Sequence, residues 1–415
     1  MGEKVRFVHA SDLHLDASFG GVDAADDRVA STLARSTLEA LDRVVELCLS
    51  REVDFLLIAG DLYNSADRSL RAELHFQRAM RRLDEAGIPA FVVHGNHDPA
   101  DGWSAGLELP ESTFVFPADR VERREVARDG TPVCAVYGRS YPTRQVTENL
   151  AVDFRRDSSD PLAIGLLHAN VGGREGHEDY APCTVDDLRA AGMDYWALGH
   201  IHLWGRVASD PPVLYSGSTQ GLNPTEDGPR GCLYVELGPR GASEEFVETA
   251  SVLWRSEAMY LTGIDDLDGL RARLMAVCEG VRDDAGDRPS VLRLELLGRS
   301  PVHSQLVRPG VLDDLLHDLR QQQLEAAPWI WVDRLRDGSR PDLDLEALLE
   351  EEGLVGDVAR IARARIDDDE AAAAAVDEIM APPLAQLGVD ARLRLAPRRV
   401  IERARDLCFD LLKDE

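Results

Sequence analysis

Aspartate, histidine and asparagine recur in this sequence at places where an apolar run has just ended. Asp12-Leu13-His14 follows Val5–Ala10, and Gly60-Asp61 follows Phe55–Ala59. Gly95-Asn96-His97-Asp98 follows Ala90–Val93, His168 closes Leu162–Leu167, and Gly199-His200-Ile201-His202 follows Tyr195–Leu198. Carboxylate, imidazole and amide groups are hard or borderline metal ligands. Gathered at strand ends, they suit the holding of two divalent cations at the edge of a sheet. Two cations about 3.5–4 Å apart clamp both the attacking and the leaving oxygen of a phosphoester. The pattern predicts a phosphoesterase.

The individual residues fit that task. Asp12 and His14 are two apart, so just past a strand end both can reach one ion. Asp61 follows Gly60, where the missing side chain lets the backbone turn sharply, and its two oxygens can bridge two ions. Asn96 offers a neutral carbonyl oxygen. His200 and His202 flank one residue, so a loop can present each to a different ion. A mixture of nitrogen and oxygen ligands suits manganese, iron, zinc or nickel better than magnesium.

These side chains need elements to position them. Up to about residue 250, strands and helices alternate. Val5–Ala10, Phe55–Ala59, Ala90–Val93, Val133–Tyr137, Leu162–Leu167, Tyr195–Leu198, Val213–Tyr215 and Cys232–Leu237 read as strands. Leu38, Leu41, Val45 and Cys48 form one face of a helix, and a second helix spans about Ser69–Glu85. This predicts a mixed sheet or two stacked sheets with helices outside. From 252 to 337 the pattern becomes a small α+β unit, with helical stripes at Leu267–Val277 and Leu312–Leu319 and strands at Leu292–Leu296 and Trp329–Val332. Asp337-Gly338-Ser339-Arg340-Pro341 reads as a linker. Residues 342–415 read as helical, with Val400, Ala404, Leu407, Cys408 and Leu411 along one face.

The chain has 415 residues, enough for two or three domains, and a net charge of −29. That charge argues against indiscriminate adhesion to nucleic acid, which depends on Lys and Arg displacing counterions. It leaves room for a nucleic-acid substrate, because bound metals invert the local sign. The six cysteines are scattered without a Cys-x-x-Cys pair, as expected of reduced core thiols. No apolar stretch approaches the roughly 20 residues of a membrane span, and the N-terminal segment does not read as a signal peptide. The expected location is cytoplasmic.

Taken together and in order, Asp12-x-His14, Gly60-Asp61, Gly95-Asn96-His97-Asp98, His168 and Gly199-His200-x-His202 resemble the calcineurin-like metallophosphoesterases. The resemblance implies an α/β fold of the four-layer sandwich type, two stacked mixed sheets flanked by helices. It implies that Asp12, His14, Asp61 and His202 hold one ion, and that Asp61, Asn96, His168 and His200 hold the second. His97 would be free of metal and would protonate the departing oxygen. A finer resemblance, to the bacterial DNA-repair exonuclease branch, lies in His9–Asp16, Gly60-Asp61-Leu62-Tyr63, Gly176–Cys183 and Tyr215–Gly221. It covers roughly residues 1–250. It implies a manganese-dependent nuclease acting on DNA ends and single-stranded segments, paired with an SbcC-type coiled-coil ATPase, and a homodimer. Residues 252–337 would be a capping domain that recognises DNA, and 342–415 would include an ATPase-docking segment.

One departure concerns Asn64, three residues after Asp61, where the family often has a histidine or carboxylate that orients the catalytic histidine. Asparagine can hydrogen-bond but adds no charge to stabilise an imidazolium. His177, in a Gly-rich loop, and Arg139 are candidates for substrate contact. His9 and His94 read as core or supporting residues, and His75, His303 and His317 as surface or packing residues. Trp329 and Trp331 suit strand packing or base stacking. Arg120, Arg123, Arg124, Arg128 and Arg144 suit phosphate contacts or a solvated face. The C-terminal stripe suits packing on its own domain or docking to a partner coiled coil. Two rival functions use the same site: a small-molecule phosphodiesterase or phosphatase, and a DNA-end-binding scaffold with weak catalysis.

Overall fold

A computed structural model describes residues 4–17, 19, 26–64, 69–102, 104–173, 180–379 and 396–413. The chain divides into two compact units, one of residues 1–255 with 285–291 and one of 256–284 with 292–415.

The first unit is built on two six-stranded sheets. In chain order its strands are β1 (Val5–Ala10), β2 (Phe55–Ala59), β3 (Ala90–Val93), β4 (Thr113–Val115), β5 (Glu122–Arg128), β6 (Thr131–Gly138), β7 (Ala163–His168), β8 (Tyr195–Gly199), β9 (Gly205–Ser209), β10 (Pro212–Tyr215), β11 (Gly231–Gly238) and β12 (Gly241–Glu248). One sheet has the order β12-β11-β1-β2-β3-β4 and the other β5-β6-β7-β8-β10-β9. Within the first, β1 to β4 run parallel; within the second, β6, β7, β8 and β10 do.

Strand periodicity sorts the side chains into layers. Phe7, Phe55, Leu57, Ile164, Leu166, Tyr195 and Ala197 fill the space between the sheets. The intervening residues of the same strands point outward: Val8, Leu56 and Ile58 on one side, Ala163, Leu167, Trp196 and Leu198 on the other. Both faces are covered, so each strand reads as an unbroken apolar run. Helices α1 (Asp27–Arg51) and α2 (Leu70–Glu85) cover the first sheet through Leu38, Leu41, Val45, Cys48, Phe76 and Met80. Asp26 caps α1 by accepting the Arg28 N–H, 2.8 Å away. A 3-10 turn at Leu150–Asp153 and the short helix α3 (Val185–Ala190) cover the second sheet. Leu41 is fully buried under the first sheet, and its truncation to alanine would cost about 2–5 kcal/mol. This is the expected α/β arrangement of two stacked mixed sheets with helices outside.

In the second unit a three-stranded sheet has the order β13-β14-β15, from β13 (Leu253–Tyr260), β14 (Ser290–Ser300) and β15 (Ile330–Pro341). Helices α4 (Leu267–Ala285), α5 (His303–Leu306) and α6 (Val311–Glu325) accompany it. Leu270, Leu274, Leu292, Leu294, Leu319, Ile330 and Val332 make the core. Trp329 and Trp331 are buried, which takes them out of base stacking, and the Arg320 guanidinium lies 4.3 Å from the Trp331 ring centre.

One sequence expectation changes here. Asp337–Pro341 is the last stretch of β15 rather than a linker; its Gly, Ser and Pro sit in an extended strand. Four helices follow the sheet, α7 (Leu345–Glu350), α8 (Leu354–Ile366), α9 (Asp369–Ile379) and α10 (Pro397–Lys413). Ion pairs Arg299–Asp406 and Arg340–Glu402 and the hydrogen bond between His303 and Asp410 fasten α10 to β14, β15 and α5. The buried face of α10 carries Ile401 and Phe409, whereas Leu407 and Leu411 are 59% and 66% exposed. Of the two alternatives for the C-terminal stripe, packing on its own domain does not hold for Leu407, Cys408 and Leu411, which are exposed.

Candidate metal centre

The carboxyl ends of β1, β2, β3, β7 and β8 converge, and the expected side chains converge with them. Ligand atoms of Asp12, His14 and His202 lie within 4.8 Å of one another, as do those of Asp12, Asp61 and His168. His14 Nε2 is 3.3 Å from His202 Nε2, and Asp12 Oδ1 is 3.8 Å from His202 Nε2. Asp61 Oδ2 is 3.9 Å from His14 Nε2 and 3.5 Å from His168 Nε2. His168 Nε2 is 2.9 Å from Asn96 Oδ1. The His200 ring lies beside His168, with centroids 5.3 Å apart.

These separations match ligand-to-ligand edges around a cation with bonds of about 2.0–2.2 Å. The proton inventory points the same way. His168 donates Nδ1–H to the Ala59 carbonyl, 3.0 Å away. Burial lowers its pKa, so the ring is neutral and Nε2 carries a lone pair. That lone pair faces the Asn96 carbonyl oxygen, a second acceptor. Burial also raises Asp12 and Asp61 from the carboxylate range. Carboxylate oxygens and imidazole nitrogens facing one another in a buried cleft are what a divalent ion satisfies, and the donor set fits one.

The backbone is held in costly conformations to achieve this. Asp12, His14, Asp61 and His200 have φ of 51°, 44°, 50° and 101°. Non-glycine residues rarely adopt the left-handed region, and such strain gathers at functional sites. Two glycines give the clearance. A Cβ on Gly60 would lie 2.4 Å from His168 Nδ1, and one on Gly95 would lie 2.2 Å from Asp61 Oδ1.

Comparisons with known proteins agree with this geometry. Residues 5–203 match the family model described as calcineurin-like phosphoesterase, and 254–340 match that of the metallophosphoesterase YhaO middle domain. The chain is 34% identical over 343 residues to a Bacillus subtilis (strain 168) protein named "Uncharacterized metallophosphoesterase YhaO", covering 82% of this chain and 84% of that one. The chain belongs to the calcineurin-like phosphoesterase family. It is also 31% identical over 237 residues to the "DNA double-strand break repair protein Mre11" of Haloferax volcanii, covering 56% of this chain and 50% of that protein. The protein of the same name from Sulfurisphaera tokodaii is 26% identical over 237 residues, 52% of this chain and 57% of its own. The chain thus spans about half the length of these Mre11 relatives.

His97 stands beside the cluster, its ring edge-on to His14 at 5.0 Å. Its main-chain N–H donates to Asp61 Oδ1 at 2.9 Å, and its Nδ1–H donates to the main-chain carbonyl of Asn64 at 3.0 Å. His9 is buried and neutral: burial lowers its pKa to about 3, and its ring meets the Tyr195 hydroxyl and the Leu198 carbonyl. Arg139 donates to the Ala118 carbonyl and to the Asp153 carboxylate. Arg123 pairs with Asp160 and Arg128 with Asp54, so these two arginines are engaged with the protein's own carboxylates. His177 lies outside the described residues.

Three supporting residues carried no role in the sequence reading. Asp98 is fully buried, and its carboxylate accepts the N–H groups of Gly95 (2.8 Å) and Leu62 (3.1 Å) and faces His94 Nδ1 (3.1 Å). It staples the loop after β2 to the loop after β3. Asp16 accepts the N–H of Asn64 (2.7 Å) and of Ser69 (3.0 Å), fixing the segment that meets His97. Glu226 accepts His202 Nδ1–H at 2.8 Å. Asp98 sat inside a quoted motif, which was the available signal. Glu226 is 24 residues from its partner, and no periodicity announces it.

Proposed function

We propose that the chain is a two-metal phosphodiesterase of DNA, an exonuclease at ends with some endonuclease action on single strands, working with manganese. Asp12, His14, Asp61 and His202 would hold one ion, and Asp61, Asn96, His168 and His200 the other. When bound, the ions supply water activation at neutral pH and offset the charge on the phosphoryl oxygens.

The chain's own groups account for the remaining proton. With Nδ1–H fixed on the Asn64 carbonyl, His97 keeps Nε2 for the leaving oxygen. The imidazolium gives up its Nε2 proton, and the neutral tautomer left behind is the one the carbonyl already favours. The Asp61 carboxylate holds the His97 main chain in place, linking ligand and acid at one residue.

The observation that carries this reading is the convergence of carboxylate, imidazole and amide groups from both sheets around one buried cleft, with His97 at its side. The DNA substrate is supported by the similarity to the two Mre11 proteins, whose names assign them to double-strand break repair. An SbcC-type coiled-coil ATPase is the proposed partner. The outward apolar face of α10, with Leu407 and Leu411, supports it as the docking segment. A homodimer acting in the cytoplasm completes the proposal. The six cysteines are free thiols, and among the described residues no helix is long and apolar enough to cross a membrane.

The test compares manganese-supported cleavage of linear duplex DNA, single-stranded DNA and bis-p-nitrophenyl phosphate. Shortening of linear duplex by the wild type, absent in His97→Ala, is expected. Brisk turnover of the small ester with intact DNA would instead make this a small-molecule phosphodiesterase.

A further inference from the structure

We infer that Glu226 is a positioning residue for the metal centre: through His202 it selectively strengthens the ion held with Asp12 and His14. The inference rests on the two-metal reading above.

The carboxylate is built into place. Glu226 is buried at 8% exposure. Its Oε1 accepts from His202 Nδ1 at 2.8 Å and from Asn223 Nδ2 at 3.0 Å. Its Oε2 accepts the Leu222 N–H at 2.8 Å, and the Glu226 N–H closes the turn onto the Asn223 carbonyl at 3.0 Å. Both oxygens are therefore occupied, and the side chain cannot swing away without losing contacts on each. The other end of His202 is also held: its carbonyl accepts the Ser218 N–H (3.0 Å) and the Arg230 guanidinium (3.3 Å).

With Nδ1–H fixed on Glu226, Nε2 is the atom turned toward His14 and Asp12. A carboxylate behind a ligating imidazole fixes the ring and raises its basicity. His168 has a weaker backing, the uncharged Ala59 carbonyl, and its neighbour Asn96 is a neutral ligand. His202 thus has a carboxylate behind it where His168 has an uncharged carbonyl.

The experiment titrates manganese into the chelated full-length protein by competition with a chromophoric chelator. Wild type, Glu226→Gln, Glu226→Ala, His202→Ala and the double variant Glu226→Gln with His202→Ala are compared, each checked for folding by circular dichroism. Glu226→Gln keeps the size of the side chain and an acceptor oxygen but not the charge. Two ions bind the wild type; Glu226→Gln is expected to weaken one of them by about 10-fold or more, within the usual effect of such partners, and to leave the other unchanged. Adding Glu226→Gln to His202→Ala should change nothing further, because the effect runs through that ring. Two ions bound with wild-type affinity by a folded Glu226→Ala would overturn the inference while leaving the two-metal reading intact. So would an equal loss at both ions, or a further loss in the double variant. A wild type that binds no manganese would overturn both.

Discussion

The imidazole of His97, the proposed general acid, is held by the main-chain carbonyl of Asn64, 3.0 Å from Nδ1, and not by a side chain at that position. The absence of a histidine or carboxylate at residue 64 therefore leaves the tautomer of His97 intact. The carbonyl is in turn placed by Asp16, which accepts the Asn64 N–H.

Replacing Asn64 by alanine should accordingly alter kcat for bis-p-nitrophenyl phosphate by less than about fivefold, while His97→Ala should lower it by about 10²–10⁴-fold, the usual worth of a general acid. Steady-state kinetics on the manganese-loaded proteins reads both. A collapse in Asn64→Ala equal to that in His97→Ala would show that the side chain does the orienting.

Gly95→Ala places a methyl group 2.2 Å from Asp61 Oδ1, and Asp61 cannot retreat without releasing the His97 N–H. Overpacking of this kind costs about 1–3 kcal/mol. A lower melting temperature together with weaker manganese binding is expected. Wild-type binding in Gly95→Ala would mean the loop has more freedom than the packing allows.

Asp98→Ala strands the N–H groups of Gly95 and Leu62 in a buried place. Each orphaned donor costs about 1–3 kcal/mol. Chemical denaturation should show the loss, and manganese affinity should fall with it, since both loops carry candidate ligands. Unchanged stability would remove Asp98 from the supporting frame.

His202 gives a pH signature. Burial pulls its pKa down, but Glu226 and Asp12 outweigh burial and raise it to about 9. The folded chain binds this proton more tightly than the unfolded chain, whose histidine titrates near 6.5. The resulting stabilisation is complete below about pH 6.5 and disappears as pH climbs through about 9. Buried Asp12 and Asp61, also raised, act in the same direction at lower pH. The melting temperature of the chelated protein should fall between pH 7 and 9.5. Manganese affinity should rise across the same interval, because binding expels that proton. A melting temperature that climbs with pH in the chelated protein would contradict the His202–Glu226 pairing.

Much of this was legible in the residues. The inner strands were visible because both faces of β1, β2, β7 and β8 are buried, which leaves runs such as Phe55–Ala59 wholly apolar. The edge strands β4, β5, β9 and β12 were not. β5, β9 and β12 border solvent and carry charge, as in Glu122–Arg128, where Val126 is the one buried side chain, and β4 is only three residues long. Asp337–Pro341 misled for a related reason, since its turn-forming residues lie in the last stretch of a strand. The clustering of the candidate ligands Asp12, His14, Asp61, Asn96, His168 and His202 was legible because each ends or follows a buried strand. Glu226 and the Asn64 carbonyl were not: one is joined to its partner by folding alone, and the other belongs to the backbone, which every residue type shares.

The most direct test of the account is manganese counted per chain by elemental analysis, in wild type and in Asp61→Asn, alongside hydrolysis of bis-p-nitrophenyl phosphate by the same samples. Asp61 faces both His14 and His168, so two ions and turnover are expected in the wild type, and loss of at least one ion with collapse of turnover in the variant. A wild type free of transition metal, whose hydrolysis survives Asp61→Asn unchanged, would contradict it.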